Sequence, residues 1–162
     1  EPGICQSTAE ELTEYISSFK INNPKVFIVV SLHWGVEFQL FPTSTQRKQA
    51  MDIIAAGTDM IIGHHPHVVQ TISFIDNKPV FYSIGNFIFD QKHPNSSNGI
   101  LVEFKCSIDS SFETIVYPYK IESCIPGPMI LKEKNEYKAE LMRLCDDIVL
   151  KDRTVGWTLL QR

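Results

Sequence analysis

An α/β fold, with a mixed sheet or two packed sheets, follows from three features of the sequence. Residues 26–32 form an apolar, largely β-branched run without polar alternation, and residues 59–62 form a second. A helical pattern lies between them, which makes residues 26–62 a strand–helix–strand unit, expected to be parallel and right-handed. From Val69 onward the pattern changes to pairs of short strands around polar turns, the mark of antiparallel pairing.

Ser7 with Glu10, or Thr8 with Glu11, has capping-box spacing and opens a helix whose apolar stripe is Leu12, Tyr15, Ile16 and Phe19. Pro24 ends it, because the residue before a proline is pushed out of the helical region. Residues 25–32 read as a strand covered on both faces. A loop over 33–42 follows, then a helix capped by Thr43 or Ser44, with Ala50, Ile53, Ile54 and Met51 as inward candidates. Gly57 supplies its left-handed exit. Residues 69–75 and 79–84 read as a hairpin around 76–78. Residues 100–106 and 112–121 read as a second pair around 109–111. Pro126, Gly127 and Pro128 break the pattern, and a last helix is expected over 132–150, with Tyr137, Leu141, Leu144, Cys145 and Ile148 on one face. The end, 153–162, is weakly patterned; Trp157 is its one candidate for docking on the core.

Composition narrows the function classes. The 162 residues suit one domain, with 43% hydrophobic and 21% charged residues, an ordinary globular balance. A net charge of −4 lacks the basic stripe of a nucleic-acid surface. No apolar run approaches the roughly 18 residues of a membrane helix, and no export signal opens the chain, so any anchoring segment is expected outside this sequence. The apolar run 26–32 needs neighbours on both edges, and only one later strand is available. Further strands are therefore expected upstream, with residues 1–162 forming the carboxyl-terminal portion of a larger domain. The four cysteines have no paired spacing, which argues against a zinc ribbon; a Cys106–Cys124 disulfide is a minority expectation.

The chemistry concentrates at two strand ends. One run ends at His33, and the other ends at Gly63 followed by His64, His65, Pro66 and His67. Imidazoles at the carboxyl ends of adjacent parallel strands suggest a metal cleft, since ligands of open α/β sheets collect at that edge. His65 and His67 can converge on one point, and His64 faces the other way if the backbone stays extended. His33 taken alone could instead cap a strand end beside Trp34, but its place matching the second strand's end favours the metal reading. Asn86 and Asp90 are candidates for an oxygen ligand or for a partner to an imidazole N–H, and Asn86 after Gly85 also suits a plain turn. Glu37 and Gln39 read as solvated loop residues, and His93 as a surface histidine. A two-metal hydrolytic centre needs bridging carboxylates that this sequence does not supply, whereas a mononuclear site from His33, His65 and His67 is allowed.

Three stretches in this order, 30–37, 59–70 and 78–91, closely resemble the bacterial CapA-type proteins of capsule and poly-γ-glutamate synthesis, a branch of the calcineurin-like metallophosphoesterase superfamily. The likeness covers about residues 24–105. It implies a four-layer α/β/β/α sandwich with mixed sheets, and a cleft holding one or two divalent ions (Mn, Zn, Fe or Mg) on His33, His65 and His67. His64 is then the candidate to protonate a leaving group. The resemblance also implies extracytoplasmic, membrane-associated work with an anionic surface polymer or a phosphoester, within a membrane synthesis complex. The superfamily's amino-terminal aspartate and asparagine–histidine motifs have no counterpart here, so the site is expected to be incomplete and this chain alone inactive. A non-catalytic subunit that binds polymer or assembles the machinery is the alternative.

Overall fold

The computed structural model describes residues 7–89, 91–106 and 112–162. Its elements run α1 (Ala9–Asn22), β1 (Val29–His33), α2 (Ser44–Ala55), β2 (Met60–His64), β3 (Ile72–Ile75), β4 (Lys78–Phe81), β5 (Asn98–Cys106), β6 (Phe112–Glu122), β7 (Ile125–Pro128), α3 (Leu131–Leu144), β8 (Ile148–Asp152) and β9 (Trp157–Gln161). The architecture is mixed α/β with two sheets and three helices.

The first sheet has the order β1-β2-β4-β3, with β1, β2 and β4 parallel and β3 antiparallel to β4. Asp76 and Asn77, both left-handed, make the two-residue turn between β3 and β4. The second sheet is antiparallel. β5 lies along one edge of the long strand β6, while β9 and then β7 share its other edge, and β8 pairs with β9.

Strand β2 shows how the layers meet. Ile61 joins a core with Ile16 of α1 and Ala50, Ile53 and Ile54 of α2. Its neighbours Met60 and Ile62 turn instead toward a second core shared with β3 to β6, α3, β8 and β9. Successive side chains of a strand point to opposite faces, so β2 is covered on both sides. An ion pair between Lys20 and Asp59 (2.9 Å), with the same carboxylate accepting from the Ile28 amide, ties α1 to the start of β1 and β2.

Several expectations need correction. β1 is an edge strand, pairing among the described residues with β2 alone, and Val29, Ser31 and His33 are exposed while Val30 is buried. Full cover on both faces therefore fails for β1. Thr8, with Glu11, forms the capping box of α1, but Tyr15 points to solvent, and so does Met51 on α2. The last helix stops at Leu144. Cys145 turns extended, and Ile148 belongs to β8. The proline-rich stretch, expected only to break the pattern, forms β7, which lies at the sheet's edge where missing proline N–H groups cost no ladder bond. Trp157, fully buried, opens β9 in a segment that showed little pattern. Cys124 is a free thiol. In the β5–β6 register Cys106 sits opposite Phe112, and Cys124 lies beyond the far end of β6, roughly 34 Å away at about 3.4 Å per residue.

Candidate metal centre

The parallel register sets His33 directly beside His64 at the carboxyl ends of β1 and β2. Beyond β2 the backbone turns through left-handed residues that are not glycine: His65 (φ 96°) and His67 (φ 61°), with Phe38 (φ 62°) in the facing loop. Such conformations are costly for residues with a Cβ and persist where surrounding structure enforces them, commonly at functional sites. Here they fold His65 back toward His33, with ring centroids 4.7 Å apart, and bring His67 alongside at 6.0 Å from His65.

A carboxylate completes the group. Donor atoms of Glu37, His65 and His67 all lie within 4.8 Å of one another, and Glu37 Oε1 stands 3.7 Å from His67 Nε2. Glu37 reads as a solvated loop residue in the sequence and is indeed exposed, but the loop after β1 delivers it to the imidazoles. The only sequence signal was its place four residues beyond a strand-end histidine. His33 stands against His65 and lies outside the tight Glu37–His65–His67 set.

The proton state of His67 can be derived from its partners. Its Nδ1 lies 2.8 Å from Asn86 Oδ1. The Asn86 amide nitrogen donates to the Ser96 carbonyl (3.3 Å), which can only accept, and to Gln91 Oε1 (3.1 Å). The amide orientation is thereby set, and Asn86 Oδ1 accepts from His67 Nδ1–H. In the neutral ring Nε2 then carries a lone pair, and it faces a carboxylate oxygen at a distance too long for a hydrogen bond. Two acceptors held face to face suit a shared cation. The buried Tyr119 hydroxyl holds Asn86 from behind by donating to its main-chain carbonyl; burial pushes Tyr119 up to about 12, so it remains a donor across the working pH range.

The surroundings are aromatic and apolar. Phe89 stacks on His67 at 5.3 Å, and Phe38 stacks on His93 at 4.2 Å, so His93 is a packing partner of the loop. His33, His64, His65 and His67 line a cavity of about 460 Å³ together with Ile84, Phe87 and Leu101. Asp90 lies outside the described residues.

The family described as bacterial capsule synthesis protein PGA_cap matches residues 1–91. This chain belongs to that family. It is similar to the PGA biosynthesis protein CapA of Bacillus subtilis (strain 168), 32% identical over 146 residues that make up 90% of this chain and 38% of the relative. It is also similar to the capsule biosynthesis protein CapA of Bacillus anthracis, 33% identical over 133 residues, 80% of this chain and 32% of that one. The chain thus spans about a third of the length of these curated relatives. In this PGA_cap chain no helix of the described residues is long and apolar enough to cross a membrane.

Burial, and then the nearby His33 ring, push the His64 imidazole below the ordinary histidine range. At neutral pH the ring is uncharged, ready to accept a proton or share a lone pair, and poorly suited to donate one.

Proposed function

We propose that this PGA_cap chain carries one wall of a divalent-metal cleft of phosphoesterase type, used in making an anionic capsule or poly-γ-glutamate polymer. The facing of Glu37 Oε1 and the His67 Nε2 lone pair carries this reading, since that pair of acceptors fits a cation. Glu37, His65 and His67 are the ligands, and His33 joins them through its place beside His65. When bound, a divalent ion supplies polarisation of a phosphoryl or acyl oxygen and a lowered pKa for coordinated water. Asn86 holds His67 in the tautomer that leaves Nε2 free. His64, neutral at pH 7, accepts a proton near the reacting group; the acid step expected of it requires a raised pKa in the complete site.

One carboxylate in the cluster falls short of a bridged two-metal centre. The remaining ligands come, in this reading, from the rest of a larger four-layer domain. The free edge and exposed outer face of β1 support that arrangement, because an apolar strand of this kind is stable inside a sheet. The setting is extracytoplasmic and membrane-associated, with a phosphoester or the growing polymer as substrate. The same shortage of carboxylates favours the second reading, a subunit that binds polymer and does not hydrolyse it.

Titration calorimetry with Zn²⁺ and Mn²⁺ tests the site. One ion should bind, and His65→Ala or His67→Ala should abolish binding. Absence of binding by either metal overturns the proposal. Phosphodiesterase assays on a form as long as the relatives then separate the two readings: hydrolysis lost in His67→Ala identifies an enzyme, and metal binding without turnover identifies a binder.

A further inference from the structure

Glu37 is exposed, and its carboxylate reaches His67 without a buried partner of its own. Its position must therefore come from the backbone on either side. Two buried glutamines hold that backbone. Gln70, fully buried, donates from Nε2 to the Gln39 carbonyl (2.8 Å) and the Phe41 carbonyl (3.4 Å), and its Oε1 accepts from Gln46 Nε2 (3.2 Å). Gln46, also buried, turns its Oε1 to the Thr43 amide (3.0 Å) as part of the α2 capping box. Main-chain bonds complete the fastening: Trp34 N–H donates to the His64 carbonyl and Phe38 N–H to the Pro66 carbonyl.

A buried amide left unpaired is costly. We infer that Gln70, backed by Gln46, is a positioning residue that holds loop 34–42 so that Glu37 meets His65 and His67. The inference rests on the metal-site reading given above, and it adds a residue outside the Glu37–His65–His67 group. Gln70 bonds the carbonyls two and four residues beyond Glu37, past the Phe38–Pro66 bond, and the Gln39 amide donates back to the Val36 carbonyl (3.4 Å) across Glu37, so loss of Gln70 loosens the turn that carries Glu37. The register of β2 and the histidine turn stays intact, because the Gln70 amide remains bonded to the Ser83 carbonyl through the main chain.

Two measurements on the full chain decide this, with Gln70→Leu as the main variant and Gln46→Met as the second in case the first fails to fold. In metal-free protein, amide hydrogen exchange over residues 36–41 should rise at least about tenfold, with β2 unchanged in both variants and α2 unchanged in Gln70→Leu. Unchanged exchange overturns the clamp whether or not any ion binds. In the presence of Zn²⁺, affinity should fall about tenfold, within the range known for groups that orient metal ligands. In a Glu37→Ala background the Gln70 substitution should cause no further loss, because its effect runs through Glu37. An equal loss in both backgrounds shows a general structural role and overturns the inference. If wild-type protein binds no ion while exchange rises as expected, the metal reading fails and the loop clamp stands by itself.

Discussion

Gly63 occupies a place where no side chain fits. A Cβ there would lie 2.0 Å from the Tyr82 carbonyl oxygen and 2.5 Å from Trp34 Nε1. Both atoms are committed to each other, since the indole donates to that carbonyl at 2.9 Å. Backbone cannot yield as a flexible side chain would, so Gly63→Ala should destabilise the fold by about 3 kcal/mol, read from the urea midpoint. A shift below about 0.5 kcal/mol would show that the strands part easily here. Asn86 tests a different residue-scale claim. Asn86→Leu removes the acceptor on His67 Nδ1 and frees the ring to adopt the other tautomer. Zn²⁺ affinity should drop roughly 10- to 100-fold in calorimetry. Nitrogen NMR of wild-type protein should show Nδ1 protonated and Nε2 bare in the neutral ring, and the opposite tautomer would contradict the Asn86 contact.

Among the elements, α2 is the one that presents the loop to the cleft. Its Thr43 cap accepts from the Gln46 amide at 3.1 Å, and Gln46 returns the bond. Thr43→Ala should cost about 1 kcal/mol in thermal or urea unfolding, the usual value of an N-cap, and Thr43→Ser should recover most of it. The end of α3 shows a different balance. Asp146 and Asp147 follow Leu144, and negative charge beyond a helix carboxyl end opposes its dipole. Asp147 instead accepts from the Phe74 amide at 2.9 Å, so the chain leaves the helix and joins β8 to the edge of β3. β7 forms for a similarly local reason: Ser123 and Cys124, both left-handed, turn the chain tightly back along β6.

At the scale of the whole molecule, the thiol of Cys145 links α3, β3 and the shared core. It is buried, and its sulfur accepts from the Ile72 amide. Burial pushes the thiol from 9.0 up to about 11. A raised folded pKa means the unfolded chain releases this proton first, so its contribution is fully present below pH 9 and is lost as pH rises toward 11. Within that window stability should fall by up to about 1.4 kcal/mol per pH unit. Denaturation midpoints measured from pH 8 to 10.5 check this, and Cys145→Ala should flatten the slope while lowering stability at pH 7. An unchanged slope in the variant would assign the alkaline loss to other groups.

Residues 26–62 were legible in advance because their information is local: apolar runs, a capping box at Thr43 and a glycine exit at Gly57 lie within a few residues of what they specify. The same holds for the Asp76–Asn77 turn and for the convergence of His65 and His67 after a strand. By itself the sequence determined the parallel unit, the imidazole-bearing edge and the family. Tertiary structure decided which face of β1 stays exposed, where α3 ends, that 153–162 closes the second sheet around Trp157, and that Glu37 meets the histidines. Those outcomes depend on partners dozens of residues away, such as Gln70 for Gln39, Asp147 for Phe74 and Tyr119 for Asn86. Short-range pattern carries no trace of such pairs, because their energy exists only once the layers have packed.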